Sequence, residues 1–366
     1  MAEMMKFGDF ASFRYGKMPI KKKITESGKY PIYSGYRYVG FYDEYNTEAD
    51  QLIIVARGVG GTGDVKLTKD RCYLTNLSIA ANIDSNVVLP EYLYYYFKPR
   101  SLRYLDSGSA QSQITISDLE RVIIPIPPLS DQKAICSYLK LLDVKIQNNK
   151  NINENLQQQL HVLYLRLFCD SAMDTPLGDV VATTSGGTPS RKHDEYYSDS
   201  SICWVKSKEL LGNYIHETEE HINDLAIKKS SAKLLPKHSV LIAMYGATVG
   251  AYGVISKPMT CNQAVCALLC NENYPYTYLF QIAYESQQKF INLAVGSAQQ
   301  NISQVLIKQL NLHSDLDIIQ RFHDLALPMH QEIEFLQAEN ISLSNLRNKL
   351  LPKLMSGELD VSSIDL

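Results

Sequence analysis

Two stretches of this chain place apolar residues at alternating steps of four and three. In the first, Ile135, Leu139, Leu142, Ile146, Asn149, Asn153, Leu156, Leu160, Leu163 and Leu167 fall on one line. In the second, Phe322, Ala326, Met329, Ile333, Leu336, Asn340, Leu343, Arg347, Leu350 and Leu354 do the same. That spacing is the seam of a coiled coil and predicts long helices over 130–170 and 314–357. Asn149, Asn153, Asn340 and Arg347 interrupt the seams. A buried asparagine costs stability but fixes register, so the seams are expected to pair with each other as an antiparallel coiled coil. The alternative is two amphipathic helices, each packed on its own domain. Pro328 is expected to kink the second helix or to mark where its straight part begins. Pro125, Pro127 and Pro128 precede the first helix, for which Ser130 or Asp131 is a suitable N-cap.

Outside the helices the pattern is that of strands and turns. Residues 50–56 and 239–245 are short apolar runs ending in glycine, and residues 30–45 are rich in tyrosine around Gly35 and Gly40. The landmarks come twice. Gly108-Ser109-Ala110-Gln111 returns 188 positions later as Gly296-Ser297-Ala298-Gln299. Leu52-Ile53-Ile54-Val55, leading to Gly58, returns as Val240-Leu241-Ile242-Ala243, leading to Gly246, again 188 positions on. Asn76 falls opposite Asn262 at 186, and Gln132-Lys133 opposite Gln320-Arg321 at 188. Landmarks in one order at nearly one offset describe two copies of a strand-rich domain followed by a long helix. The expected fold is α+β and pseudo-two-fold symmetric. Its parts are a first domain over 1–129, a central helix over 130–170, a second domain over 171–313, a distal helix over 314–357 and a tail over 358–366.

With 366 residues, 45% of them apolar, the chain can build two cores, and no apolar run is long enough to span a membrane. The opening Met1-Ala2-Glu3-Met4-Met5-Lys6 lacks the charged-then-apolar pattern of a signal peptide. Seven cysteines occur without a CxxC pair, and Cys261, Cys266 and Cys270, set in an apolar run, read as buried thiols and not as metal ligands. His193, His221 and His238 read as surface residues, so no metal site is expected. A cytoplasmic protein fits these features. The net charge of −3 is low for a nucleic-acid binder, yet residues 1–37 hold eight cationic side chains against three acidic ones. A DNA-binding chain so weakly charged would share phosphate neutralisation with partner proteins.

No catalytic residue is expected. The phosphate loop GxxxxGK[ST], HExxH, GxSxG and the Asp/Asn-Pro-Pro-aromatic tetrapeptide of amino-methyltransferases are all missing from the sequence. Gly58-Val59-Gly60-Gly61-Thr62-Gly63 does satisfy GxGxxG. A dinucleotide fold requires a helix to open there, whereas Asp64-Val65-Lys66-Leu67-Thr68 alternates like a strand. The segment reads as a glycine-rich hairpin whose backbone comes close to a ligand.

At this point the residues resemble the specificity subunits of type I restriction–modification systems. Ser185-Gly186-Gly187-Thr188-Pro189-Ser190, then Glu195-Tyr196-Tyr197 and Trp204-Val205-Lys206-Ser207, resemble the opening of that family's target-recognition domains. Leu235-Pro236-Lys237, Gly246-Ala247-Thr248 and Asn262-Gln263 follow in the family's order, Pro125-Ile126-Pro127-Pro128-Leu129 resembles the entry to its helical spacer, and Leu354-Met355-Ser356-Gly357-Glu358-Leu359 resembles its ending. The first domain departs from the pattern with Gly16-Lys17-Met18-Pro19 in place of Gly-Gly-Thr-Pro, and Tyr197 stands where a tryptophan is common. The resemblance implies a non-catalytic subunit whose two domains each read half of a bipartite, interrupted DNA target. It further implies helices that dock two methyltransferase subunits, which a motor-nuclease subunit can join. S-adenosylmethionine, ATP and Mg would belong to those partners, and this chain would hold no cofactor.

Base reading needs paired donors and acceptors, and phosphate contact needs cations, hydroxyls and free amides. Candidates in the first domain are Arg14, Lys17, Lys21, Lys22, Tyr36, Arg37, Arg57, Thr62, Ser109, Gln111 and Gln113. In the second they are Thr188, Ser190, Arg191, Lys192, Lys206, Lys208, Tyr245, Thr248, Ser297, Gln299, Gln300 and Asn301. The repeated Gly-Ser-Ala-Gln turns could equally serve as structural caps. Two rivals remain at this stage: a bivalent scaffold for a protein or RNA ligand, and an enzyme with a nucleotide site at Gly58–Gly63.

Overall fold

The computed structural model describes residues 2–35, 37–58, 61–106, 113–295 and 301–359. The chain forms two compact units, one of Met1–Ile146 with Ser342–Leu366 and one of Gln147–Ile341. In the first, the apolar run Leu52–Val55 is buried on both faces, as a central strand requires. It lies in a four-stranded sheet ordered Ala11–Tyr15, Ser78–Ile83, Leu52–Val55, Val65–Leu67. A three-stranded sheet orders Arg37–Tyr42, Tyr30–Ser34 and Tyr73–Leu74, so the tyrosine-rich stretch is a hairpin turning at Gly35. Glu3–Lys6 pairs antiparallel with Ile123–Ile126 and closes the domain.

The second unit repeats this plan. Its main sheet is ordered Ala182–Ser185, Val265–Leu269, Val240–Ala243, Tyr252–Ile255, with Asn213–Ile215 as a fifth, parallel strand. Its small sheet is ordered His221–Ile222, Ile202–Val205, Thr260–Cys261, and Met173–Pro176 closes on Asn311–His313. The GxGxxG match is a hairpin: Val65–Leu67 returns antiparallel along Leu52–Ile54, and no helix opens where a pyrophosphate would need one.

The central helix runs over Leu129–Phe168 and the distal helix over Leu316–Ser356, the latter without interruption at Pro328. Every predicted seam position is buried or half-buried. Within the first unit, Ile135, Cys136 and Leu139 near the start of the central helix share a core with Leu351, Leu354 and Met355 near the end of the distal one, together with Phe7 and Tyr92. Within the second, Leu160, Tyr164 and Phe168 meet Ile319, Phe322 and Ala326, together with Tyr278 and Phe290. Start meets end, so the pairing is antiparallel. The pairing of the seams therefore holds, and neither helix packs on one domain alone, because each contributes to both cores.

Asn149, Asn340 and Arg347 are partnered, whereas Asn153 Oδ1 is buried with no hydrogen-bond partner among the described residues. Asn149, fully buried, donates from Nδ2 to Asn340 Oδ1 at 3.0 Å and to Glu339. Arg347 bonds Asp143, which also accepts from the Tyr95 hydroxyl at 3.0 Å and lies 3.4 Å from Lys98. Burial alone would raise the Asp143 pKa, but Arg347 and Lys98 outweigh it and hold it below the usual carboxylate value.

The helix start differs from expectation. It begins at Leu129, with the Asp131 and Gln132 amides on the Pro128 carbonyl at 3.0 Å, so neither Ser130 nor Asp131 is the cap. Gln132, fully buried, accepts from Leu89 N at 2.8 Å and donates to the carbonyls of Val87 and Pro127, fixing the helix to the first domain. Gln320 at the matching position is exposed and bonds Asp324 of its own helix, so the two glutamines play different parts.

His330 supplies a test of the second unit. Burial pushes its pKa from 6.5 down to about 3, helped by nearby His323 and His238, and its Nδ1 lies 2.8 Å from the Tyr214 hydroxyl. A histidine held neutral in the fold but free to protonate when unfolded contributes stability above pH 6.5 that is lost as pH falls toward 3. Trp204, the only tryptophan, is buried in this unit and reports its unfolding. Between pH 7 and 5 the full chain should lose about 2 kcal/mol more than His330→Gln in urea unfolding followed by Trp204 fluorescence. Parallel losses in the two proteins would contradict the assignment.

Candidate nucleic-acid interface

Both domains hang their loops on one set of backbone bonds. Gly16 N donates to Ser78 O and Lys17 N to Leu74 O; 170 positions on, Gly186 N donates to Val265 O and Gly187 N to Cys261 O. A Cβ on Gly16 would lie 2.3 Å from the Leu74 and Thr75 oxygens, and one on Gly186 would lie 2.2 and 2.3 Å from those of Cys261 and Asn262. Only glycine fits where two backbones come this close. The shared bonds also correct the alignment. Thr75, not Asn76, corresponds to Asn262, because Thr75 Oγ1 accepts from Leu77 N as Asn262 Oδ1 accepts from Ala264 N.

The same geometry accounts for the departure at Lys17. Val205 follows its counterpart Tyr33 by 172 positions, while Ala243 follows Val55 by 188, so the second domain carries sixteen more residues between these strands. Part of that addition leans on Gly187, whose Cβ would lie 2.3 Å from Ser231 C, and the Trp204 indole donates to the Gly187 carbonyl at 3.0 Å. With no such segment above it, the first domain accommodates an exposed lysine there.

The frame brings some candidates together. Arg57 and Gln113 form an isolated antiparallel bridge, and so do Tyr245 and Asn301, each 188 positions later. Arg57 sits over the Tyr15 ring at 6.0 Å. Lys17, Lys21 and Lys22 are exposed and form no ion pair among the described residues, and Arg37 is exposed on its strand. Thr188, Ser190 and Lys192 are exposed on the loop after Gly187. Arg14 is engaged with Asn46, Thr47 and Gln51. Tyr36, Ser109, Gln111, Ser297, Gln299 and Gln300 lie outside the described residues.

Other candidates are committed elsewhere. Thr62 is 4% exposed and its hydroxyl donates to Gly58 O at 2.9 Å, so it closes the hairpin and faces no ligand. Thr248 is half-buried and donates to Tyr245 O at 3.1 Å. Arg191 and Lys206 both pair with Glu220, and Lys208 lies 2.5 Å from Glu219. The Lys206 hydrogen bond, more than Arg191, holds the Glu220 carboxyl below its usual pKa despite partial burial. Arg191, Lys206 and Lys208 stand apart in sequence from Glu219 and Glu220, which approach them only on folding.

His238 is likewise not a plain surface residue, since it stacks on Tyr276 at 4.1 Å and lies 3.3 Å from Glu334. Cys203, Glu217 and His221 place potential ligand atoms within 4.8 Å of one another. Lys257 Nζ lies 2.5 Å from Glu217, so that carboxylate already has a cation. No helix among the described residues is long and apolar enough to cross a membrane.

A repeated α+β frame that holds unlike polar loops is the architecture of a recognition protein. The model of the type I restriction modification DNA specificity domain matches residues 2–158 and again 172–313. The chain belongs to this family and is a non-catalytic subunit that recognises DNA sequence. It is 26% identical to the type I restriction enzyme MjaIX specificity subunit of Methanocaldococcus jannaschii, covering 79% of this chain and 74% of that one. It is 21% identical to the HindI specificity subunit of Haemophilus influenzae, covering 75% and 79%. The crystal structure of the type I restriction–modification S subunit from M. genitalium shares the fold, with a TM-score of 0.68 and 17% identity over 97% of this chain and 96% of that one.

If the glycine contact positions the loops, Gly186→Ala should lower stability by about 1–3 kcal/mol, the usual cost of forcing an atom into packed structure. Urea unfolding of the full chain read through Trp204 measures this, and an unshifted midpoint would show that the contact is dispensable.

Proposed function

We propose that the chain reads a bipartite, interrupted DNA target, one half-site per domain, and docks two methyltransferase subunits that carry the chemistry. The observation that carries this reading is the pair of matching backbone bridges holding unlike side chains. One frame presents Arg57 and Gln113, the other Tyr245 and Asn301. Two similar frames accept equivalent partners, while unlike loops select unlike bases. A motor-nuclease subunit can join the same assembly. S-adenosylmethionine, ATP and Mg act in the partner subunits, and cytoplasmic residence follows from that role.

Three outcomes test this. The purified chain should transfer no methyl groups and hydrolyse no ATP, and activity should appear when methyltransferase subunits are added; turnover by the chain alone would end the proposed division of labour. Exchanging residues 178–312 for the matching segment of a relative should change one half of the methylated motif and leave the other half intact. The central helix is the proposed ruler between half-sites. Four residues inserted near Asn149 add about 6 Å of helix at about 1.5 Å per residue. At about 3.4 Å per base pair, that should lengthen the unread spacer by roughly one or two base pairs. The insertion is also a coiled-coil stutter, so some stability should be lost with it. An unchanged spacer in methylated-site mapping would refute the ruler.

A further inference from the structure

The isolated bridge in each domain is where the two copies keep one geometry and change the chemistry. Ile114 N donates to Ala56 O and Ile302 N to Met244 O, both at 2.9 Å and both ends 188 positions apart. The residue after each bridging position is a glycine with positive φ, Gly58 at +135° and Gly246 at +68°. A Cβ on either would meet nothing within 4 Å. Here glycine is not relieving a crowded contact, as it does at Gly16 and Gly186. It leaves backbone beside open space, next to one side chain from each of two loops.

In the first domain that place is taken by an arginine held but not satisfied. The Arg57 amide is fixed on Leu77 O at 3.1 Å, and its guanidinium lies over Tyr15. Its Nε is buried without a hydrogen-bond partner, and no acidic side chain pairs with it among the described residues. The other engaged arginines have acceptors: Arg71 has Glu48, Arg191 has Glu220 and Arg347 has Asp143. Among the described residues no other Arg57 side-chain nitrogen has an acceptor either, so the guanidinium keeps donors for one that a ligand brings. A guanidinium fork matches the O6 and N7 acceptors of guanine in the major groove. At the same place the second domain has Tyr245, 44% exposed, which carries no such fork.

On the reading that the chain binds duplex DNA, we infer that Arg57, with Gln113 beside it, is the guanine-reading seat of the first domain. Tyr245 with Asn301 is then the counterpart that selects a different base in the second. The exposed Lys17, Lys21 and Lys22 supply phosphate contact in this arrangement and do not choose the base.

The test uses the full chain assembled with methyltransferase subunits. Its motif is first mapped by methylated-site sequencing. Competition binding then follows on duplexes carrying each single-base change in that motif. Arg57→Lys keeps the charge but removes the fork, and Arg57→Tyr with Gln113→Asn installs the chemistry of the second domain. Each variant should lose about ten- to a hundredfold of its preference at one guanine of one half-site, with the other half-site unchanged. Unchanged preference at every position overturns the assignment. So does uniform weakening across all duplexes, the signature of a phosphate contact. A wild-type complex that recognises no interrupted motif would instead overturn the functional reading on which this inference rests.

Discussion

The recognition loops of both domains depend on one close backbone approach, Gly16 against Leu74 and Thr75, and Gly186 against Cys261 and Asn262. It brings the strand that opens each domain onto the loop that precedes the buried strand Ser78–Ile83 or Val265–Leu269. The contacts are made by backbone atoms, so they place few demands on neighbouring side chains. This separates framework from readout. The main bonds of the frame recur, while the residues set on it differ, with Lys17 against Gly187 and Arg57 against Tyr245. A recognition subunit needs that separation, because a new target must be acquired without refolding the domain.

The helices impose the second constraint. Forty and forty-one residues with a 4-3 stripe cannot stay exposed, and each end is drawn into a domain core while polar pairs occupy the middle. Asn149 with Asn340 and Asp143 with Arg347 leave few other registers open, since a slip would bury these groups unpaired. Charge is arranged less evenly. The first domain exposes Lys17, Lys21 and Lys22, whereas Glu219 and Glu220 occupy Arg191, Lys206 and Lys208 in the second.

Much of this was legible in the sequence, for physical reasons. The seam showed because a 4-3 stripe persists over ten positions, and the two copies showed because strand and glycine landmarks recur at one offset. The decoy at Gly58–Gly63 was legible too, since alternation at Val65 and Leu67 marks a strand. What was hidden depended on partners distant in sequence. Glu219 and Glu220 reach Lys206 and Lys208 only through folding, and Glu334 and Tyr276 reach His238 in the same way. The one-residue shift from Asn76 to Thr75 was hidden because loop side chains carry no periodicity to set their register. Gln132 and Gln320 read alike, but only one meets the free backbone groups of a neighbouring loop.

In the proposed assembly this chain alone determines which interrupted sequence the complex reads. Methylome sequencing of a host with and without the gene tests it most directly. The account predicts one motif of two defined half-sites around an unread spacer, methylated on adenine only when the gene is present. An unchanged methylome, or loss of a continuous motif, would contradict it.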